Sequence, residues 1–491
     1  MQVERYIAVA DLGTSKLALS VAKVVGDDIQ IIYYKERPSD GVSYSYVYNP
    51  KRAAVPLKEA IQEAEDELSI KILQLVVGLP RYDVHQEIGT AEIERTDPSS
   101  CISKDEIKTL KSFAIDSYKI DDQAREMIYG AVAQSFSADD DLVCASEEDV
   151  VGVTANKISG NFKIFVGPQK PVSNLDIVLN EVGVAPAKKL FVPNTVANAV
   201  LTDAEKENGV ALIEIGAGVS SLTIYKGKIL RHYSAIPFGG KSITTDIKCE
   251  CGFTEKLAEN IKLAYGACLP EKLLSMSEKV IQINDNENGS YEHLPVKYLS
   301  EVINCRAKEI IEALLYQIQD SGYADKLRNG IVITGGGADL VNLSTLIKEM
   351  SGYNVRVGFP RNQHYRSTLG FSLGETSISA TLGMIMEAKK DPRLNCIEEK
   401  LVEKVQEEEA DVEIAGEDDS NITQFVEELF PEEEVIVPVN KKPIKKPVKQ
   451  SGARPRITWI TSLKETITNV GTKTFDNTIG SLFDEMDKNN N

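Results

Sequence analysis

The chain has 491 residues, 42% of them hydrophobic, and a formal net charge of −19 at pH 7. This length predicts about two to four domains, and the negative charge argues against non-specific binding of nucleic acid. The apolar runs fall short of the roughly 18 residues that a membrane-spanning helix needs, and seven scattered cysteines are typical of a reducing compartment. We therefore expect a soluble or peripheral protein.

The first predicted element, IAVADLGTSKLALSVAKV at residues 7–24, has the pattern of two strands joined by a glycine-containing turn. Backbone N–H groups in such a turn bind anions, and glycine lets phosphate oxygens approach closely. A carboxylate beside phosphate is favourable only if a cation such as Mg²⁺, with its water shell, lies between them. The element therefore predicts half of a phosphate site, with a lysine as a direct cation. Its members are Asp11, Gly13, Thr14, Ser15 and Lys16.

Residues 81–166 differ from their surroundings because they contain no turn of this phosphate-binding type. Ser103 and Glu106 have capping-box spacing and predict the start of an amphipathic helix. Strand-like segments follow, such as DVVGVTA and FKIFVG. We interpret this region as an inserted subdomain.

The second half of the chain repeats the strand–turn–strand pattern in GVALIEIGAGVSSLTIYKG, residues 209–227. The same reasoning predicts the other half of the phosphate site, with Mg²⁺ held through water between Asp11 and Glu214. The members of this half are Glu214, Gly216, Ala217 and Gly218, with Ser220 and Ser221 as hydroxyl donors.

Three further segments fit a nucleotide site when taken together with the two hairpins. IPFGGKSITTDI places a glycine pair before a helix start, and LAENIKLAYG places an acid and a base on one helical face, where they would bracket a ribose or a base edge. GIVITGGGADL ends a buried strand in bare backbone that suits a purine and its ribose. The predicted contacts are Gly239, Gly240, Glu259, Lys262, Gly335, Gly336, Gly337 and Asp339. Any one glycine turn alone is more often an ordinary hairpin, and a lone Glu/Lys pair is usually a surface ion pair; the ordered set favours the nucleotide site.

Residues 397–440 contain sixteen acidic side chains against two lysines and predict a solvated, self-repelling linker. Within it, ITQFVEELF at 422–430 is either a short docking helix or a stray apolar island. The basic segment KKPIKKPVK at 441–449 follows.

The last segment, residues 456–487, has apolar residues at helical spacing and predicts an amphipathic helix. We expect it to lie in a membrane interface, with a partner-docking helix as the alternative. Its polar face is not basic, so apolar burial must anchor it, and many tails in one polymer would bind better than one. The predicted membrane-binding residues are Trp459, Ile460, Leu463, Ile467, Val470, Phe475, Ile479, Leu482 and Phe483.

The ordered glycine turns resemble those of the actin, Hsp70 and sugar-kinase superfamily. FVPNTVANAVLTDAEKENGVALIEIGAGVSS, IPFGGKSITTDI, LAENIKLAYGAC and IVITGGGADL are similar to motifs of the FtsA family of bacterial cell-division proteins. The resemblance implies an α/β, actin-like ATPase fold with two duplicated RNase H-like lobes, an FtsA-type inserted subdomain, a disordered acidic linker and a C-terminal amphipathic helix. It implies these divisions: first lobe 1–80 and 167–192, inserted subdomain 81–166, second lobe 193–390, linker 391–452 and membrane-targeting tail 453–491.

The resemblance also implies a function in cell division at the cytoplasmic face of the cell membrane, at the septum. The expected cofactors are ATP and Mg²⁺. The expected partners are the C-terminal tail of the tubulin-like polymer FtsZ, other copies of the chain in a protofilament, further division proteins through the inserted subdomain, and membrane lipid, but no nucleic acid.

Two departures from the family pattern concern ATP hydrolysis. Glu214 stands where the family usually has Asp, and Gly216–Ala217–Gly218–Val219–Ser220–Ser221 replaces a Gly-Gly-Thr-Thr pattern. We expect ATP binding to persist with hydrolysis slow or absent, because a displaced carboxylate positions water poorly. Glu205 is a weaker candidate for orienting that water, since a charged loop residue is the more common case. The alternatives are a small-molecule (sugar) kinase and a pilus-assembly ATP-binding protein of the same superfamily.

Overall fold

The structure, a computed structural model, describes residues 4–139, 142–284, 291–368 and 373–399. All of these belong to one compact unit, Met1–Leu401. The acidic linker beyond residue 399, the apolar island at 422–430 and the predicted C-terminal helix lie outside the described residues.

The first part of the chain builds the core of a mixed sheet. Its elements are β1 (Glu4–Leu12), β2 (Lys16–Val25), β3 (Asp28–Pro38), β4 (Val42–Ser43), β5 (Tyr46–Val47), α1 (Pro50–Leu68), β6 (Ile70–Ile72) and β7 (Gln74–Gly78). Strands β1, β2 and β3 form an antiparallel meander, and β7 adds to β1 in parallel. The middle of β1, from Ile7 to Ala10, is fully buried. The core therefore anchors the strand directly before Asp11.

The chain then leaves this sheet and forms a separate antiparallel sheet in the order β10-β9-β11-β8. The elements are β8 (His85–Glu94), α2 (Lys104–Ser117), β9 (Glu126–Ala138), β10 (Leu142–Cys144), α3 (Glu147–Val150) and β11 (Lys157–Pro168). The predicted capping box is confirmed, because Ser103 and Glu106 exchange side-chain to backbone hydrogen bonds at the start of α2. The cluster has its own apolar core, in which Phe136 and Phe162 pack edge to face.

The prediction of a strand for DVVGVTA, residues 149–155, is wrong. A second capping box, between Ser146 and Asp149, starts the short helix α3. Gly152 then turns the chain with a φ of +95°, a conformation that favours glycine and ends regular structure. The strand in this region, β11, begins only at Lys157 and includes the predicted FKIFVG.

The remaining chain returns to the first sheet and then builds a second one. Its elements are α4 (Gln169–Val182), β12 (Ala185–Leu190), α5 (Val192–Val200), α6 (Asp203–Asn208), β13 (Val210–Ile215), β14 (Ser220–Lys226), β15 (Ile229–Ile236), α7 (Gly240–Cys251), α8 (Glu255–Tyr265), β16 (Val280–Asn284), β17 (Tyr291–Pro295), α9 (Val296–Asp320), β18 (Ile331–Thr334), α10 (Leu343–Ser351), β19 (Val355–Val357), β20 (Arg366–Ser367), α11 (Ser379–Lys389) and β21 (Ile397–Glu399).

The two large sheets repeat one topology. The first has the order β12-β7-β1-β2-β3-β20 and the second β15-β14-β13-β18-β19. In each, three antiparallel strands of a meander are followed by two parallel strands on the side of its first strand. The carboxyl end of β1 therefore corresponds to the carboxyl end of β13, and each leads into a hairpin turn.

The last helix joins the two halves. Helix α11 packs on α5 and on strands β1, β2 and β7 of the first sheet. The approach to α5 is close, because a Cβ atom at Gly383 would lie only 2.4 Å from the carbonyl oxygen of Thr195. Strand β20 pairs with β3, and β21 pairs with β6. The last described segments, α11, β20 and β21, therefore pack against elements of the first part of the chain.

In the described part of the chain, no helix combines the length and the apolar character needed to cross a membrane.

An almost fully buried arginine holds the inserted sheet to its helix. The side chain of Arg95 is 2% exposed and donates to Glu106 at 2.7 Å. It also donates to the carbonyl oxygens of Ser100 at 2.9 Å and Ala155 at 3.0 Å. The hydrogen bond from Arg95 and those from Ser103 lower the pKa of Glu106 from 4.5 to about 2.

We predict that Glu106→Gln destabilises the chain at neutral pH, by on the order of 1 kcal/mol because the carboxylate is partly exposed. The folded-state pKa of Glu106 is depressed, so its stabilisation is present above about pH 4.5 and is lost as the pH falls towards about 2. The difference in unfolding free energy between wild type and Glu106→Gln, from urea denaturation, should shrink between pH 7 and pH 3. Glu94→Gln, at an exposed position on β8, is the control. A difference independent of pH would contradict this assignment.

Candidate functional site

The turn between β1 and β2, which we call the first bend, consists of residues 13–16. Leu12 and Leu17 are the last paired residues of the two strands. The amide of Gly13 donates a hydrogen bond of 3.0 Å to the carbonyl oxygen of Lys16. A Cβ atom at Gly13 would lie 2.8 Å from that oxygen. The turn closes in this form because the residue is glycine.

The turn between β13 and β14, the second bend, consists of residues 216–219 and has the same construction. Ile215 and Ser220 are the last paired residues, and the amide of Gly216 donates to the carbonyl oxygen of Val219 at 2.9 Å. A Cβ atom at Gly216 would lie 2.9 Å from that oxygen. The repeated motif in the sequence therefore corresponds to a repeated turn geometry.

The two bends touch each other. A Cβ atom built at Gly218 would lie 2.7 Å from Oγ1 and 2.9 Å from Cγ2 of Thr14. A Cβ atom this close would force the side chain of Thr14 to shift, so glycine at position 218 permits the approach. The two halves of the predicted phosphate site are therefore close enough to face one ligand.

The tips of both bends present free backbone donors. Among the described residues, none accepts a hydrogen bond from the amide N–H groups of these four positions. They are Thr14, Ser15, Ala217 and Gly218. Successive free N–H groups on a tight turn are the geometry that binds phosphate oxygens. The bends therefore fit the phosphates of the predicted nucleotide.

The cation between the predicted metal-binding carboxylates is Arg81, which the sequence analysis did not identify. Its Nη2 lies 3.3 Å from both carboxylate oxygens of Asp11 and 3.7 Å from Oε1 of Glu214. The three side chains are 14%, 19% and 11% exposed. Arg81 belongs to the first half of the chain and Glu214 to the second, so this cluster connects the two halves.

Burial governs the protonation of this cluster. It raises the pKa of Glu214, while the charge of Arg81 acts in the opposite direction. Burial disfavours the guanidinium of Arg81, but the two carboxylates outweigh it and raise the pKa of Arg81. Arg81 is therefore a permanent cation, and burial favours the protonated form of Glu214.

Lys16, the predicted direct cation, instead forms an ion pair with Glu36 on the neighbouring strand.

The sequence signal for Arg81 is the apolar, strand-like run QLVVGLP that directly precedes it. Strand β7 is a buried parallel neighbour of β1, with Ala10 opposite Val77. The residues that follow β7 therefore emerge beside Asp11. The position of Arg81 at the site depends on the pairing of β7 with β1, which no local motif encodes.

The predicted glycine pair lies against the second bend. The amide of Gly240 donates to the carbonyl oxygen of Gly216 at 2.9 Å, and the amide of Lys241 donates to that of Ala217 at 2.7 Å. A Cβ atom at Gly239 would lie 2.3 Å from the oxygen of Gly216. The start of α7 is therefore fixed to the second bend, and this close packing by itself requires a glycine at position 239.

Glu259 and Lys262 form the predicted pair on one face of α8. The ammonium group of Lys262 donates to Glu259 at 2.7 Å, to Thr244 at 2.8 Å and to the carbonyl oxygen of Gly240 at 2.9 Å. Its side chain is 10% exposed, whereas that of Glu259 is 36% exposed. The pair thus ties α8 to the start of α7, and Glu259 is its accessible member.

The third glycine segment packs on Ile215, the residue that leads into the second bend. Cβ atoms at Gly335 and Gly337 would lie 2.6 Å and 2.4 Å from atoms of Ile215. Gly336 is exposed, with no contact shorter than 3.8 Å at its would-be Cβ position. Asp339 is also exposed and accepts a hydrogen bond of 2.9 Å from Thr376. The backbone at Gly336 therefore borders open space, which a purine and its ribose would need.

The structure therefore brings the predicted nucleotide-binding segments together around the second bend. In the described ranges, no group of three or more His, Cys, Asp or Glu side chains forms a metal site. The predicted membrane-binding residues lie outside the described part of the chain. They are Trp459, Ile460, Leu463, Ile467, Val470, Phe475, Ile479, Leu482 and Phe483.

Comparisons with known proteins agree with the motifs. The family model described as "Cell division protein FtsA" matches residues 211–372. The cell division protein FtsA of Neisseria meningitidis serogroup B is 28% identical over 366 residues, which cover 73% of this chain and 85% of the relative. That of Borreliella burgdorferi is 27% identical over 388 residues, covering 78% and 91%. The predicted resemblance to FtsA is confirmed.

A solved structure supports the predicted fold. The PilM-PilN type IV pilus biogenesis complex matches with a TM-score of 0.55 at 16% sequence identity, covering 79% of this chain and 99% of that chain. At this identity the likeness concerns the fold alone. The chain has the mixed α/β fold of the actin-like ATPases, as predicted.

We predict that Gly218→Ala destabilises the chain by about 1–3 kcal/mol, because the new methyl group overlaps the side chain of Thr14. The measurement is the unfolding free energy from urea denaturation. Gly130→Ala is the matched control, since a Cβ atom there meets nothing within 4 Å. In a Thr14→Ala background the cost of Gly218→Ala should fall, which a double-mutant cycle measures. Equal effects at positions 218 and 130 would rule out the contact between the bends.

Proposed function

We propose that this relative of the FtsA cell-division proteins binds an adenine nucleotide at its two bends. We further propose that it acts in bacterial cell division by tethering the FtsZ polymer to the cytoplasmic membrane and by polymerising. The observation that carries the nucleotide site is the contact between the bends, Gly218 against Thr14, with free amide groups on both tips. The name of the relatives and the amphipathic pattern of residues 456–487 support the cellular role.

The residues around the bends would divide the nucleotide between them. The four tip amides and Arg81 would hold the phosphates. The exposed backbone at Gly336 and the carboxylate of Glu259 would contact the adenosine part. The bound nucleotide supplies negative charge that both bends share, so binding would hold the two lobes together.

Hydrolysis is proposed to be slow or absent. A carboxylate that activates or orients water must be ionised and within reach of that water. Burial raises the pKa of Glu214, which also lies beside Arg81 and accepts a 3.5 Å hydrogen bond from Ser221. The contacts with Arg81 and Ser221 engage the carboxylate of Glu214 with protein groups, which supports slow or absent hydrolysis.

Glu205, the weaker candidate for orienting water, forms other contacts. Its two carboxylate oxygens accept hydrogen bonds of 2.7 and 2.8 Å from Arg356. It also closes the capping box of α6 with Thr202. These contacts give Glu205 a structural role, so they do not support its action on water.

The proposed membrane role belongs to the tail at residues 453–491, and its partner is the C-terminal tail of FtsZ. A single tail would bind weakly, because ordering the helix offsets much of the gain from apolar burial. A protofilament would present many tails to one membrane and so bind far more tightly. Polymerisation and membrane binding are thus proposed to depend on each other at the septum, where further division proteins would contact the inserted subdomain.

We predict that the full chain carries FtsZ into the pellet with anionic liposomes and that deletion of residues 453–491 abolishes this. Ile467→Asp, which places a charge on the apolar stripe of the tail, should reduce pelleting by roughly tenfold or more. Thr461→Asp adds the same charge on the opposite face and serves as the matched control. ATP should increase recruitment of FtsZ by the full chain.

Unchanged pelleting after the deletion would refute the membrane role. ATP consumption stimulated by one member of a sugar panel would instead favour a kinase of the same superfamily.

A further inference from the structure

We propose that Arg81 is the resident cation of the nucleotide site, so that the site binds ATP without a divalent metal ion. This inference rests on the proposed nucleotide binding and concerns how the phosphate charge is neutralised. It differs from the sequence-based prediction, in which Mg²⁺ lies between Asp11 and Glu214.

The position that the sequence assigns to Mg²⁺ is already taken by a positive group. Arg81 contacts both oxygens of Asp11 at 3.3 Å and lies 3.7 Å from Glu214. Mg²⁺ needs a nearly octahedral shell of oxygen atoms at about 2.0–2.1 Å and keeps several water molecules. Such an ion between these carboxylates would have to displace the guanidinium, and while Arg81 remains, the two cations repel each other. The donor set with Arg81 in place therefore does not fit Mg²⁺.

Arg81 has donors left for a phosphate. A guanidinium carries five N–H groups, and within the described ranges only Nη2 takes part in hydrogen bonds. Nε is buried and has no hydrogen-bond partner. A planar fork that remains charged at all relevant pH values is well matched to phosphate oxygens. The unused donors belong to a guanidinium that lies between Asp11 and Glu214, at the ends of the strands that lead into the two bends.

The backbone of Arg81 is anchored from both halves of the chain. Its carbonyl oxygen accepts a hydrogen bond from the hydroxyl of Tyr233 on β15. Its amide donates to Oγ of Ser45 at 3.3 Å. The ring of Tyr233 is itself packed against Phe165 and Phe191. Because these hydrogen bonds fix the peptide and Asp11 holds Nη2, the guanidinium is in place before any ligand arrives.

The test measures ATP binding to the full-length chain by isothermal titration calorimetry, once with excess EDTA and once with excess MgCl₂. We expect the two dissociation constants of the wild type to agree within about threefold. Arg81→Ala should weaken ATP binding in EDTA by roughly tenfold or more. Added MgCl₂ should restore much of that loss, because the substitution frees both carboxylates for the ion.

Two further variants separate charge from folding effects. Arg81→Lys keeps the positive charge but loses the fork, and we expect intermediate affinity in EDTA. Arg37→Ala removes an arginine whose side chain pairs with Glu59 and Glu63 on α1, and it should bind ATP as the wild type does. If Arg81→Ala does not fold, the comparison of EDTA and MgCl₂ in the wild type still decides the question.

Wild-type binding that requires MgCl₂, or undiminished binding by Arg81→Ala in EDTA, would overturn the role of Arg81 and leave the proposed nucleotide site standing. No ATP binding by the wild type in either condition would instead refute the proposed nucleotide site, and the inference with it.

Discussion

The contact between the two glycine bends is the constraint on which the site depends. Gly218 lies against Thr14 at a distance that leaves no room for a side chain. This approach brings Glu214 of the second half within reach of the guanidinium that already contacts Asp11 in the first half. Two carboxylates from separate sheets would repel each other at this junction, and Arg81 makes their proximity favourable. The geometry of the bends and the charge of the cluster thus support each other.

The bends have the same geometry because they end equivalent strands of the same topology. In both sheets the turn follows the strand that pairs antiparallel on one side and parallel on the other. In both, the first residue of the turn is a glycine, since a Cβ atom there would collide with the carbonyl oxygen three residues on. Duplication of the sheet therefore produces two turns of the same geometry, one at the end of each equivalent strand.

The second bend is also the centre of the surrounding packing. The start of α7 donates hydrogen bonds to its carbonyl oxygens, and the third glycine segment packs on Ile215, which leads into it. Lys262 and Glu259 then connect α8 to α7. A change in the second bend would therefore be transmitted to several elements at once. Coupling of this kind suits a site whose occupation is proposed to alter the contact between lobes.

The local pattern of the sequence was enough to predict the repeated hairpins, the capping box at Ser103 and the resemblance to FtsA, because each depends on residues that are neighbours in the chain. The apolar residues of DVVGVTA predict a strand, and this prediction is wrong. A capping box starts helix α3, which extends into that segment, and Gly152 then ends the regular structure. Tertiary structure alone decided the partner of Lys16, the packing of α11 on the first sheet and the position of Arg81 between Asp11 and Glu214. These features join residues far apart in sequence, and only the pairing of strands and the meeting of two sheets determine which side chains come within reach of one another.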